Sequence, residues 1–230
     1  PLGTINIFLI TDRTLSPGAM AELLLTATEA KTAVLRDLMQ GSSVSQELAT
    51  GTGTDGMVII CAADPEGTLL NAGKHFKFGE LAARAVREAV AEALFRQTGC
   101  CARTQRSVFR RLERFGITEN TLSAQCQTQL PGLDIDWSRI FKKIDHDAFL
   151  VGAVALYVHL ADQCRTGMLT GAEADDWANH LLMQLQRHYQ CSMPIPPRAD
   201  LMEKLSQFFC TLVLTHLQGQ QRLYPELSSV

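Results

Sequence analysis

The stretch Ala49-Thr50-Gly51-Thr52-Gly53-Thr54-Asp55 alternates glycines with hydroxyls, ends in a carboxylate and runs directly into the apolar segment Met57 to Ala63. A second glycine-bracketed cluster, Gly73-Lys74-His75-Phe76-Lys77-Phe78-Gly79-Glu80, begins eighteen residues after Asp55. Glycine lets a backbone come close to a bound group. The second cluster offers an imidazole, two ammonium groups and a carboxylate, side chains that proton-transfer chemistry recruits. In the first loop, amides and hydroxyls would hold a polar or anionic group with Asp55 as acceptor or base; a tight turn into a buried strand fits the same spacing equally well. No Gly-Lys-[Ser/Thr] closes the loop and it precedes a strand, so it is not a P-loop.

In the second cluster His75 is the leading general acid/base, because imidazole titrates nearest neutral pH. Lys74 and Lys77 are candidates for binding anionic groups or polarising a carbonyl. Glu80 falls in the first turn of the following helix, where the helix dipole favours a carboxylate. Thr11-Asp12-Arg13 stands at the carboxyl end of the first strand, the end at which open α/β sheets bind ligands, and it also reads as a strand exit into a capping turn. Glu29 and Lys31 interrupt the apolar face of a long helix. An inward Glu29 would need a partner, so solvated positions are expected for both.

The elements that must position these groups are legible by pattern. Thr4 to Thr11 is an apolar, β-branched run of strand length, expected to be buried on both faces. Ser16-Pro17 starts a helix, with serine as N-cap and proline at the first helical position. Met20, Leu23, Leu24, Ala27, Ala30, Val34, Leu35 and Leu38 then recur at helical spacing. Gly41 to Glu47 is a surface connection and Met57 to Ala63 a second buried strand. Asp64 to Gly67 is turn chemistry leading to a short hairpin strand over Thr68 to Ala72. Gly79 to Gln97 is a helix whose small residues Ala82, Ala85, Ala89 and Ala93 would allow close packing on the sheet.

After Gly99 strand signals stop. Asp145 to Cys164, Thr170 to Tyr189 and Arg198 to Gln218 carry helical periodicity, with a capping box of Thr170 and Glu173 and a proline-rich break over Met193 to Pro197. The expected fold class is therefore a layered α/β region, residues 1–104, followed by a mostly α-helical region, residues 105–230, with no internal repeat. Arg103, Arg106, Arg110, Arg111 and Arg114 are expected on a short helix ending at Gly116, with another helix possible from Thr118, somewhat like a helix-turn-helix. Glu113 and Glu119 dilute the charge, which favours a solvated face. His146, His159, His180, His188 and His216 show no HExxH spacing.

Composition narrows the classes further. With 46% apolar residues, 20% charged residues and net charge -3, the chain reads as a soluble globular protein without the basic surplus of a general polyanion binder. Seven cysteines without regular spacing suit free thiols in a reducing compartment, hence a cytoplasmic location. The Cys100-Cys101 pair lacks a CxxC partner. No membrane span, nucleic-acid partner or metal site is expected. The chain opens on Pro1 with strand-like sequence by Thr4, which suggests a fragment of a longer reading frame and leaves a leader undetermined.

Five motifs in order, Thr4 to Asp12, Leu15 to Met20, Thr26 to Lys31, Ala49 to Asp55 and Ala72 to Glu80, resemble the adenosylcobinamide amidohydrolase family over roughly residues 3 to 97. The resemblance implies hydrolysis of the amide joining aminopropanol to the corrin ring of adenosylcobinamide, giving adenosylcobyric acid for cobalamin biosynthesis. The corrinoid is then the substrate, and no cofactor is inferred. The implied catalytic set is His75 as proton shuttle, Asp55 as base or orienter, Thr54 and Glu80. Thr52, Thr54 and the loop amides would bind the carbonyl, Lys74, Lys77 and Arg13 would contact the amide-rich corrinoid rim, and Thr50, Gly51, Gly53, Gly73, Asp12 and Glu29 complete the implied substrate-binding set. The family carries an upstream serine- and glycine-rich segment that this chain begins after, so a nucleophile is expected there. Two other readings stay open: another amidase or aminopeptidase on a related scaffold, and a non-catalytic corrinoid-binding module.

Overall fold

The computed structural model describes residues 3–63, 67–129, 135–196 and 199–223, with side chains to residue 217. Pro1, the expected turn at Asp64 to Glu66, and Pro197 and Arg198 lie outside the described residues. The chain divides into two compact units, Pro1–Gln105 and Arg106–Val230.

The first unit is a βαβ crossover followed by a helix. Strand β1 (Asn6–Thr11) leads into α1 (Pro17–Asp37), which returns to β2 (Gly56–Cys61), and α2 (Lys77–Thr98) follows. The strands pair in parallel, Asn6 opposite Gly56 through Thr11 opposite Cys61. Helix α1 starts where expected: the Ser16 side chain accepts from the Ala19 amide at 3.1 Å, and Pro17 occupies the first turn. Gly99, with φ of 72°, closes α2 in the left-handed conformation.

Both helices pack on one face of the sheet, where Ile7, Leu9, Met57 and Ile59 meet Leu23, Ala27, Ala30, Val34, Val86 and Val90. On the opposite face Phe8 and Ile10 are 66% and 72% exposed, and Val58 and Ile60 are also exposed. The expectation of strands buried on both faces is corrected: a continuous apolar run does not say how many layers cover it. The small-residue stripe is corrected too. Gly79, Ala82, Val86 and Val90 are the buried positions of α2, while Ala85, Ala89 and Ala93 are exposed, because contact follows the i+4 row from Ala82. In place of a hairpin over Thr68 to Ala72, Leu69 forms a single parallel bridge with Leu15. The Leu69 amide donates to the Thr14 carbonyl at 2.8 Å, and the Ser16 amide to the Leu69 carbonyl at 3.0 Å.

The second unit comprises α3 (Val108–Leu112), a 3-10 turn (Glu113–Phe115), α4 (Glu119–Gln127), α5 (Trp137–Asp145), α6 (Ala148–Arg165), α7 (Gly171–Tyr189) and α8 (Leu201–Leu223). The Thr170 and Glu173 capping box forms, and Thr118 makes a second one with Thr121. The helix predicted over Asp145 to Cys164 forms as α6 but begins three residues later: α5 ends at Asp145, and Asp147 caps α6 by accepting from the Phe149 and Leu150 amides. Arg103 and Arg106 precede α3. Arg114 is not part of a solvated face, since its side chain is 4% exposed and forks onto Asp162 at 2.8 and 2.6 Å. Among the described residues no single helix is long and apolar enough to cross a membrane.

The core of this unit also holds a buried ammonium. Lys204 is fully buried, and its ammonium meets the Asp175 carboxylate and, at 3.1 Å, the Asn179 side-chain carbonyl. Asp175 is 34% exposed and can take up water if the lysine goes; the lysine has no such recourse. Asp175→Ala is therefore expected to cost about 3–5 kcal/mol, from a stranded buried charge. Lys204→Met should cost less than about 1.5 kcal/mol, as a tolerated apolar replacement. Urea unfolding of the two variants checks the order.

Candidate functional site

The Thr/Gly loop is built around a buried ion pair. Lys31, on the apolar face of α1 one turn after Ala27, extends its ammonium to the Asp55 carboxylate, and the two side chains are 10% and 15% exposed. Asp55 accepts three further hydrogen bonds, from the Ile5 amide at 3.1 Å, the Thr52 amide at 3.0 Å and the Thr52 hydroxyl at 2.5 Å. Burial alone would raise the Asp55 pKa. The Lys31 ammonium, the Thr52 hydroxyl and the two amides outweigh it and hold the pKa at about 2. A carboxylate so stabilised is an anchor and a weak base at neutral pH.

The rest of the loop serves the same anchor. The Thr32 hydroxyl donates to the Thr50 carbonyl at 3.0 Å, and the Thr54 and Thr4 hydroxyls meet at 2.6 Å. A Cβ at Gly51 would collide with the Asp55 carboxylate and lie 2.9 Å from the Lys31 ammonium, whereas one at Gly53 would meet nothing within 4 Å. Lys31, expected in solvent, is buried instead. Its position on the Leu23, Ala27, Ala30, Val34 stripe was the available signal.

The second cluster is held elsewhere on α1. Glu22, which sequence reasoning did not single out, accepts from the Ala72 and Gly73 amides at 2.8 and 3.0 Å. Gly79 lies so close to the Gly73 and Ala72 carbonyls that a Cβ there would overlap them, so the first turn of α2 can rest on this loop only as glycine. Around that frame the charged side chains are exposed. Lys74 pairs with Glu29 at 2.9 Å and Lys77 with Glu80 at 2.9 Å. Lys77 lowers the Glu80 pKa, by hydrogen bond and by charge. His75 is exposed. Asp12 and Arg13 are also exposed, 3.8 Å apart at the exit of β1.

Glu22 and Lys31 are nine positions apart on α1, about 13.5 Å along its axis. Among the described residues no hydrogen bond or ion pair joins loop 49–55 to residues 72–80. Asp55 precedes β2, at the amino end of the strands. Asp12, Arg13 and the Glu22-held loop lie toward the carboxyl end, where Leu15 meets Leu69 and Thr14 bonds the Ala62 carbonyl at 2.9 Å. The geometry thus separates an internal anchor at one end from an exposed imidazole and exposed charged groups at the other, and does not bring Asp55 and His75 together. Among the described residues no three His, Cys, Asp or Glu side chains converge on a metal position.

With this geometry in place, comparison supplies the relationship. Residues 1–102 match the model of the adenosylcobinamide amidohydrolase family. The match covers the α/β unit almost to its last residue and stops short of the helical unit. An uncharacterised protein of Methanocaldococcus jannaschii is 45% identical over 98 residues, 42% of this chain and 37% of its own length. The chain thus spans little more than a third of the curated relative it matches. No solved structure matches at a significant level.

Two predictions test the anchor. Gly51→Ala should destabilise the protein by about 1–3 kcal/mol through overpacking, while Gly53→Ala should be neutral or slightly stabilising; thermal melts at matched conditions compare them. Because the Asp55 pKa is depressed on folding, its stabilisation is complete above about pH 4 and is lost as pH falls toward 2. This amounts to about 2 kcal/mol. Stability measured against pH should show that acid-side loss in the parent chain and not in Asp55→Asn.

Proposed function

We propose that this chain hydrolyses the amide joining aminopropanol to the corrin ring of adenosylcobinamide, yielding adenosylcobyric acid for cobalamin biosynthesis. The observation that carries this reading is the family match over residues 1–102, which coincides with the α/β unit. The exposed groups toward the carboxyl end of its strands support the chemistry. Hydrolysis adds water across the C–N bond. His75 takes a proton as the oxygen attacks and returns one to the departing amine. Lys77, Lys74 and Arg13 hold the amide-rich rim and favour the developing oxyanion, with Asp12, Glu29 and Glu80 orienting those cations. Thr50, Gly51, Thr52, Gly53, Thr54 and Asp55 act by fixing the sheet and α1, while Gly73 gives the His75 loop its backbone anchor on Glu22. A cytoplasmic setting suits the seven free thiols.

Incubation of the chain with adenosylcobinamide, followed by mass spectrometry, should detect adenosylcobyric acid and aminopropanol. His75→Ala should lower kcat/KM by roughly 100- to 10,000-fold with an unchanged thermal midpoint. Turnover undiminished in His75→Ala would remove the histidine from the mechanism. A corrinoid absorbance change without product would support a binding module, and cleavage of small amino-terminal amides alone would support a different amidase.

A further inference from the structure

The helical unit contains a pair of thiols that the amide chemistry does not use. Cys126 lies at the end of α4 and Cys210 within α8, 84 residues apart in sequence. They are 0% and 1% exposed and belong to the unit's apolar cluster. Their sulfurs are 3.1 Å apart and share a hydrogen bond. A disulfide closes at about 2.05 Å, so bond formation requires an approach of only about 1 Å. The two helices are also joined beside the pair, where the Ser206 hydroxyl donates to the Gln125 side-chain carbonyl at 2.5 Å. Among the described residues no hydrogen bond joins any other two cysteines.

We propose that Cys126 and Cys210 are a covalent modification site, forming under peroxide an intramolecular disulfide that ties α4 to α8. The Cys126 thiol gives up its proton, its thiolate attacks one peroxide oxygen as the O–O bond breaks, and the departing hydroxide takes up that proton, giving a sulfenic acid and one water. Cys210 then attacks the sulfenic sulfur, the S–O bond breaks, and its proton leaves with the hydroxide as a second water. Two electrons pass from the pair to peroxide. The order of the sulfurs follows their environment: the hydrogen bond with Cys210 lowers the Cys126 pKa against the effect of burial, while that contact and burial both raise the pKa of Cys210. A cross-link closing so long a loop restricts the unfolded chain, and the thermal midpoint of the helical unit should rise by on the order of 10 °C.

The test treats the full chain with hydrogen peroxide, alkylates the remaining thiols under denaturing conditions and maps the peptides by mass spectrometry. The expected result is a linked pair of peptides containing Cys126 and Cys210, lighter by two hydrogens, reversed by dithiothreitol and accompanied by the rise in thermal midpoint. Cys210→Ser should lose the linked peptide and leave Cys126 as a sulfenic acid that dimedone traps, and Cys126→Ala should lose both. The proposal is overturned if Cys126 and Cys210 of the parent chain are still fully alkylated after peroxide has oxidised other cysteines. A linked peptide joining a different pair, or a cross-link that leaves the thermal midpoint unmoved, overturns it equally.

Discussion

The α/β unit depends on bringing the Lys31 ammonium into an otherwise apolar helix–sheet layer and meeting it there with Asp55. A buried cation is tolerated only with a partner whose remaining acceptor sites are filled. That requirement accounts for the composition of the loop: Thr52 supplies an amide and a hydroxyl, Ile5 supplies an amide, and Gly51 leaves the space. It also fixes the strands. Asp55 accepts from the Ile5 amide while the Gly56 amide donates to the Ile5 carbonyl at 3.1 Å, so both polar groups of one residue are held by consecutive positions of the other segment. A slip by one residue would break both bonds.

Charges are used differently toward the other end of the same helix. Glu22 is spent on two backbone amides and makes a firm base for the 72–73 turn, and Gly79 lets α2 settle against it. The side chains this frame carries, His75, Lys74, Lys77 and Glu80, remain in solvent. Exposed pairs of this kind contribute little to stability, which leaves them free to exchange partners for a ligand. A buried anchor and exposed, titratable side chains are therefore divided between two glycine-bracketed segments that look alike in sequence.

How far the sequence carried depended on the range of the interaction. Ser16 before Pro17, Thr170 with Glu173 and Gly99 after α2 were legible because a cap is completed within a few residues. The similarity of residues 1–102 to the amidohydrolase family model was legible because five motifs kept their order. Lys31 was not: its partner is 24 residues away and its stem sits among alanines and leucines, so charge alone suggested solvent. The open sheet face was likewise hidden, since Phe8 and Ile10 are as apolar as Ile7 and Leu9, and only the shared placement of α1 and α2 distinguishes them. Arg114 repeats the lesson, because the Asp162 that buries it lies 48 residues on.

The central claim is that Lys31 and Asp55 act as one unit. A double-mutant cycle of Lys31→Met and Asp55→Asn, read as unfolding free energy at neutral pH, tests it most directly. The account predicts a coupling of about 2–3 kcal/mol, the double variant being less damaged than the sum of the singles. Additivity within about 0.5 kcal/mol would contradict it.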